Sequence, residues 1–197
     1  MVDEAQIRKR IDEFKVELTK YSPVDMVRKN IIFGKCEILA DHVYFDLRSE
    51  VASHFELHPN EVLVVGSSKL GFSIAPKKRY RSFTDTSDID VVLVSERLFR
   101  NLWQESHAYA ESRAFWEDRQ HFQEYLFRGW IRPDKLPPSH LFAIAQDWWE
   151  FFRAISNSGK YSSYKVRGAL YQNWYFLESY QLYGINGCLT ALKEESA

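Results

Sequence analysis

Cysteine is scarce in this chain, with Cys36 and Cys188 the only two among 197 residues. Two thiols are too few for a disulfide scaffold or a cysteine-rich zinc site. They fit a reducing compartment and behave as small buried apolar groups. Long hydrophobic runs are also lacking, since no stretch reaches the roughly 18 apolar residues of a membrane span. The opening segment MVDEAQIRKRIDEF is charged throughout and has no apolar centre of a secretion signal. A cytoplasmic protein without a membrane partner is expected. An excess of either charge is missing as well: Lys and Arg number 26 against 27 Asp and Glu, a formal net charge of -1. That balance excludes a generally basic nucleic-acid binder and confines any phosphate contact to a local patch. The histidines form no metal cluster. His54 and His58 are four apart, but Leu57-His58-Pro59 reads as the end of a helix, so zinc is not expected. Ser67 and Ser68 do not sit in a Gly-x-Ser-x-Gly elbow, which leaves a serine hydrolase without support. No internal repeat and no low-complexity tract is present.

A chain of this length suits one domain over residues 1–197. Ile7, Ile11, Phe14 and Leu18 repeat at helical spacing and Pro23 follows, so the chain begins with an amphipathic helix that stops near Tyr21. Val43, Leu47, Val51 and Phe55 form a second stripe that runs to the turn His58-Pro59-Asn60. Residues 62–65 (VLVV) and 91–94 (VVLV) are short apolar, mostly β-branched runs and read as buried strands. Between them, residues 75–86 contain Pro76 and the cations Lys77, Lys78, Arg79 and Arg81 with no period, which predicts an exposed basic loop. Ser95 is an N-cap candidate for a helix carrying Leu98, Leu102 and Trp103, and helix is expected to about Arg128. Arg132 to Pro138 is a loop, because a Pro-Pro pair cannot continue a helix. Leu141, Ile144, Ala145, Trp148, Phe152 and Ile155 predict a helix that ends at Asn157-Ser158-Gly159. Residues 165–171 fit strand or helix, and a final helix is expected from about Leu170 to Tyr183, with a frayed tail over residues 193–197. Aromatics make up 16% of the chain and crowd its second half. Tyr171, Trp174, Tyr175, Phe176, Tyr180 and Tyr183 are too many rings for one buried helix face, so some are expected to meet a partner protein.

The chemistry concentrates where one strand ends in Gly66-Ser67 and the next begins with Asp88-Ile89-Asp90. Residues i and i+2 of a strand share a face, so both carboxylates can serve one site while Ile89 takes the other side. Magnesium combines one or two carboxylates with substrate phosphates and water, which Asp88 and Asp90 suit as metal ligands. Gly66 permits a tight turn. Ser67 and Ser68 add hydroxyls and N–H groups at an expected helix start, where the dipole favours phosphate, and Lys69 follows within reach. Each motif alone has a plainer reading: a Gly-Ser turn is common after strands, and Asp-x-Asp can form an Asx turn or protect a sheet edge. The cations of the basic loop can likewise be solvated. Tyr80 and Phe83 can stack on a base or anchor the loop to the core.

In that order the two motifs resemble the nucleotidyltransferase superfamily, the DNA polymerase β-like group that includes minimal nucleotidyltransferases. The likeness covers about residues 61–95, with a longer spacer than usual between Ser67 and Asp88. It implies an α/β (α+β) fold: a short mixed sheet surrounded by helices from an N-terminal extension (1–60) and a C-terminal one (96–197). It further implies Mg2+-dependent transfer of a nucleotidyl group from an NTP to a hydroxyl of RNA, a nucleotide or a protein, with Asp88 and Asp90 as catalytic metal ligands and Gly66, Ser67, Ser68 and Lys69 as nucleotide-binding residues. The mechanism is two-metal in-line displacement. Active members carry a further acidic residue on a later strand. Here the candidate strand, residues 164–170, carries Lys165 and Arg167 instead. Glu105, Glu111, Glu117, Asp118, Glu124 and Asp147 all lie in expected helices and read as solvated face residues. This departure supports a second reading, an inactive nucleotidyltransferase-like module that binds nucleotide, nucleic acid or a partner protein, as in toxin–antitoxin or phage-defence systems. A carboxylate from elsewhere beside Asp88 and Asp90 would favour the enzyme, and a basic or apolar group there the module.

Overall fold

The computed structural model describes residues 4–137 and 142–195. The described residues form a mixed α+β fold, with eight α-helices around one four-stranded sheet. The strands are β1 (Val62–Val65), β2 (Ile89–Val94), β3 (Trp130–Ile131) and β4 (Val166–Tyr171). Their order is β1-β2-β4-β3. β1 runs antiparallel to β2, β2 parallel to β4, and β3 antiparallel to β4.

Both faces of the sheet are covered, and the strand period assigns each residue to a face. Val62 and Val64, then Ile89, Val91 and Leu93, then Val166 and Leu170 join one core. It is closed by α3 (Asp41–His54), α5 (Glu96–Glu111), α6 (Arg119–Phe127) and α7 (Ala143–Asn157). Leu63 and Val65, then Val92 and Val94, then Tyr171 join the other core. That face is closed by α1 (Glu4–Leu18), α2 (Pro23–Val27), α4 (Gly66–Leu70) and α8 (Trp174–Glu195). Asp90 falls in phase with Val92 and Val94 and so lies on the α8 side, at the open start of its strand.

Local chemistry fixes three of the boundaries. Ser22 caps α2 by accepting a hydrogen bond from the Asp25 N–H, with Pro23 at the first helical position. Ser95 caps α5 in the same way through the Leu98 N–H. His58 accepts from the Asn60 N–H and Glu61 reaches back to the His58 N–H, which sets the turn into β1. Cys36 and Cys188 are both buried free thiols.

Several expectations need correction. The helix expected to continue to Arg128 breaks after Glu111 and resumes at Arg119. Leu170 and Tyr171 belong to β4, and the last helix starts later and runs past Tyr183 to Glu195, taking in Lys193 to Glu195 of the expected frayed tail. It passes Gly184 and Gly187 because those positions are needed small: a Cβ on Gly184 would come within 2.9 Å of the Ile74 side chain, and one on Gly187 within 3.1 Å of Arg79. The basic loop contains a short 3-10 turn, Pro76–Lys78, and Phe83 is buried against Tyr164. Pro138, Leu141 and the last two residues of the expected tail lie outside the described residues.

Candidate functional site

The register of the sheet brings the motif together. Val65, the last residue of β1, pairs with Asp90, and Asp90 pairs on its other side with Arg167 of β4. The chain leaves β1 through Gly66 at φ +66°, a left-handed conformation suited to glycine. A Cβ there would sit 3.1 Å from Asp90 Oδ2, so the missing side chain also makes room for the carboxylate. Gly66, Ser67, Asp88 and Asp90 thus lie at one end of the β1–β2 strand pair.

Ser68 is near this end in a structural role. It is fully buried; its hydroxyl donates to the Val65 carbonyl at 2.9 Å and accepts from the Asp90 N–H at 3.2 Å. Its oxygen therefore stitches β1 to β2, which locates the Asp90 backbone. Lys69 does not join the site. Its side chain is 1% exposed, donates to the Gly34 carbonyl and lies 4.8 Å from the centre of the Tyr44 ring. Burial pushes this amine down to about 8, Arg48 adds to the effect, and Cys36 and Glu37 oppose it. It clamps the Gly34–Glu37 segment to α4.

The electrostatics around the aspartates are mixed. Arg167 Nε lies 2.8 Å from Asp88 Oδ2 in a partly exposed ion pair. Asp90 is open to solvent at the residue level, yet local crowding desolvates its carboxyl. This, with the adjacent Asp88 charge, pushes it up to about 6 against the pull of Arg167 and Lys78. Solvent access limits the energetic weight of that shift. Arg167 thus neutralises one aspartate and flanks the other.

None of the six other acidic candidates completes the constellation. Glu105, Glu111, Glu117 and Glu124 are exposed. Asp118 is held by Lys135 and His121, and Asp147 by His54. Among the described residues, no group of three or more His, Cys, Asp or Glu is placed to hold a metal ion. Of the basic loop, Lys77, Lys78 and Arg81 are exposed, while Arg79 is half-buried with Nε unpaired. Tyr80 is also partly buried, 6.0 Å from the Phe72 ring centre and under Lys15, so both loop aromatics anchor the loop.

Tyr180 of α8 is one of the rings that the sequence leaves to be shared between the core and a partner. Tyr180 lies 4.8 Å from the Trp130 ring centre and 6.1 Å from that of Tyr171. Its phenol is pushed up mainly by burial, in part by the charge of Asp90, with Arg132 and Arg128 opposing. An open groove of about 410 Å³ lies instead on α6, lined by Gln120, Gln123, Glu124, Phe127 and Arg128, and has none of the motif residues. Among the described residues, no helix is long and apolar enough to cross a membrane. The chain matches no known family, no curated protein and no solved structure.

Proposed function

We propose that this chain is a nucleotidyltransferase-like module that binds a nucleoside triphosphate at the Gly66/Asp88/Asp90 end of the sheet without transferring its nucleotidyl group. Arg167 carries this reading. It occupies the register position beside Asp90 and is ion-paired to Asp88 at 2.8 Å, where two-metal chemistry needs a further acidic ligand. A guanidinium there repels a second cation and matches phosphate oxygens. Asp88 and Asp90 fit one Mg2+ that arrives with the phosphates, since magnesium is commonly held by one or two carboxylates plus phosphate and water. When bound, that ion would screen the phosphate charge. Around it, Gly66 clears space for the Asp90 carboxyl, Ser68 fixes its backbone, and Arg167 is free to leave Asp88 for a phosphate. Exposed rings on α8, Tyr175 and Tyr183 at 71% each, suit a partner protein.

The retained pair of aspartates on one face supports a second reading, transfer to an RNA, nucleotide or protein hydroxyl with a single metal. Calorimetry with each NTP and Mg2+, on the wild type and on folded Asp88→Ala/Asp90→Ala, tests the site, and a search for label transferred from α-labelled NTP tests the reaction. Binding lost in the double variant, with no labelled product, is expected. Labelled product would replace the module with the transferase, and no binding of any NTP by the wild type would remove both.

A further inference from the structure

The sheet face that carries Asp90 is closed at one end and open at the other. Val92, Val94 and Tyr171 of that face are buried, whereas Asp90, Lys165 and Arg167 are exposed and Asp88 is half-buried. The covering helices stop short of the place where β2 and β4 begin. Strand phase shows which side chains share this open end. Ile89 and Val91 join the core closed by α3, α5, α6 and α7, so Asp88 and Asp90 take the opposite face. Tyr164 and Val166 pack on that same core, and Ala169 and Tyr171 on the other, so Lys165 and Arg167 stand on the face of the aspartates. The 2.8 Å pair between Arg167 and Asp88 agrees with this phase.

The backbone fixes Lys165 there. Its carbonyl accepts from the Ile89 N–H at 2.8 Å, which carries the β2–β4 register one residue outward and sets Lys165 beside Asp88, as Arg167 is set beside Asp90. Arg167 reaches diagonally to Asp88, and Lys165 forms no ion pair among the described residues. Two carboxylates and two cations leave this platform without net charge. One Mg2+ on the aspartates makes it positive by two, which suits a ligand that brings two or more negative charges on neighbouring phosphates.

We propose that Lys165 and Arg167 hold neighbouring phosphates of a magnesium-bound polyphosphate tail, so that the site selects its ligand by phosphate chain length. This rests on the nucleotide-binding reading above and names Lys165 as the residue that discriminates triphosphate from monophosphate. Arg167 offers a planar fork to one phosphate, and the Lys165 amine brings a point charge on a flexible stem to the next. Their backbones are two strand residues apart, about 7 Å, a gap that two long side chains close. The tail of an NTP and inorganic tripolyphosphate share this chemistry.

The test is calorimetry at constant Mg2+ with each NTP, its diphosphate and monophosphate, and inorganic tripolyphosphate. The proteins are wild type, Lys165→Gln, Lys165→Arg and Lys9→Gln, the last removing one charge from an exposed position of α1. Circular dichroism checks folding. The wild type should prefer an NTP over its monophosphate by about tenfold or more, and Lys165→Gln should lose roughly tenfold for triphosphates, the scale of one hydrogen bond to a charged group. Monophosphate binding should stay nearly unchanged, Lys165→Arg should keep most of the preference, and Lys9→Gln should behave as the wild type. Tripolyphosphate should lose affinity in step with the NTP; a loss confined to the NTP would put Lys165 on the nucleoside and overturn the assignment. Equal binding of NTP and monophosphate by the wild type, or a Lys165→Gln protein that binds as Lys9→Gln does, also overturns it but keeps the nucleotide site. Tripolyphosphate bound without any NTP would keep the role of Lys165 and replace the nucleotide by inorganic polyphosphate. Failure of every ligand to bind the wild type removes the nucleotide reading and this inference together.

Discussion

Lys69→Met isolates an electrostatic burden that is independent of any ligand. The amine is buried under α4 and held near 8, against 10.5 for the free side chain. At 1.36 kcal/mol per pH unit that gap is worth roughly 3 kcal/mol between the two protonation states. The folded value is the lower one, so between pH 8 and 10.5 the unfolded chain binds more protons, and stability rises with pH through that window. The burden is fully present below pH 8 and gone above 10.5. Methionine keeps the volume and removes the charge, at the cost of the bond to the Gly34 carbonyl and the contact with Tyr44. The contact with Tyr44 fades as the amine loses its proton and is part of what sets the folded value, so the pH-dependent part of the difference between the two proteins reports the amine. In urea denaturation the wild type should gain roughly 2 kcal/mol on the variant between about pH 7.5 and about pH 10. A stability difference that stays constant across that range would show that Lys69 is not held as a desolvated amine. The variant should also bind Mg2+-NTP as the wild type does, because Lys69 faces away from Asp88 and Asp90.

Gly66→Ala should lose about 1–2 kcal/mol to its left-handed backbone and crowd Asp90 Oδ2, so that urea midpoint and nucleotide affinity fall together. Ser68→Ala breaks the link between the Val65 carbonyl and the Asp90 N–H and should cost about 1–3 kcal/mol, read from thermal melts. Gly168→Ala places a Cβ 2.3 Å from Phe152 and 2.7 Å from Trp148, an overpacking that should lower stability by about 2 kcal/mol or more in denaturant titration. Arg167→Ala breaks only a partly exposed pair and should shift stability by less than about 1 kcal/mol, yet Mn2+ alone, followed by calorimetry, should bind more tightly once Asp88 is free.

This end of the sheet was legible because its signals are local. Two buried β-branched runs, a glycine that must adopt positive φ and an Asp-x-Asp in strand phase survive any tertiary context. The Ser95 cap and the α7 stripe are legible for the same reason. What escaped depends on contacts distant in sequence. A five-residue helix has no period that could say Lys69 turns towards Gly34 rather than Ser67. β3, two residues long, leaves no pattern at all. Gly184 and Gly187 lie beyond the expected end of the last helix, yet Ile74 and Arg79 fill the space they leave and α8 continues. That a later strand lacks an acidic residue was visible in the sequence; that Arg167 would pair with Asp90 in register and with Asp88 by charge was set by the β2–β4 crossover.

The central claim is a nucleotide site in which a guanidinium stands where a second metal would need its ligand. Counting Mn2+ ions per bound non-hydrolysable NTP by electron paramagnetic resonance tests it most directly. The account predicts one ion per nucleotide in the wild type and a second in Arg167→Asp; two ions in the wild type, or no nucleotide bound at any Mn2+ concentration, would contradict it.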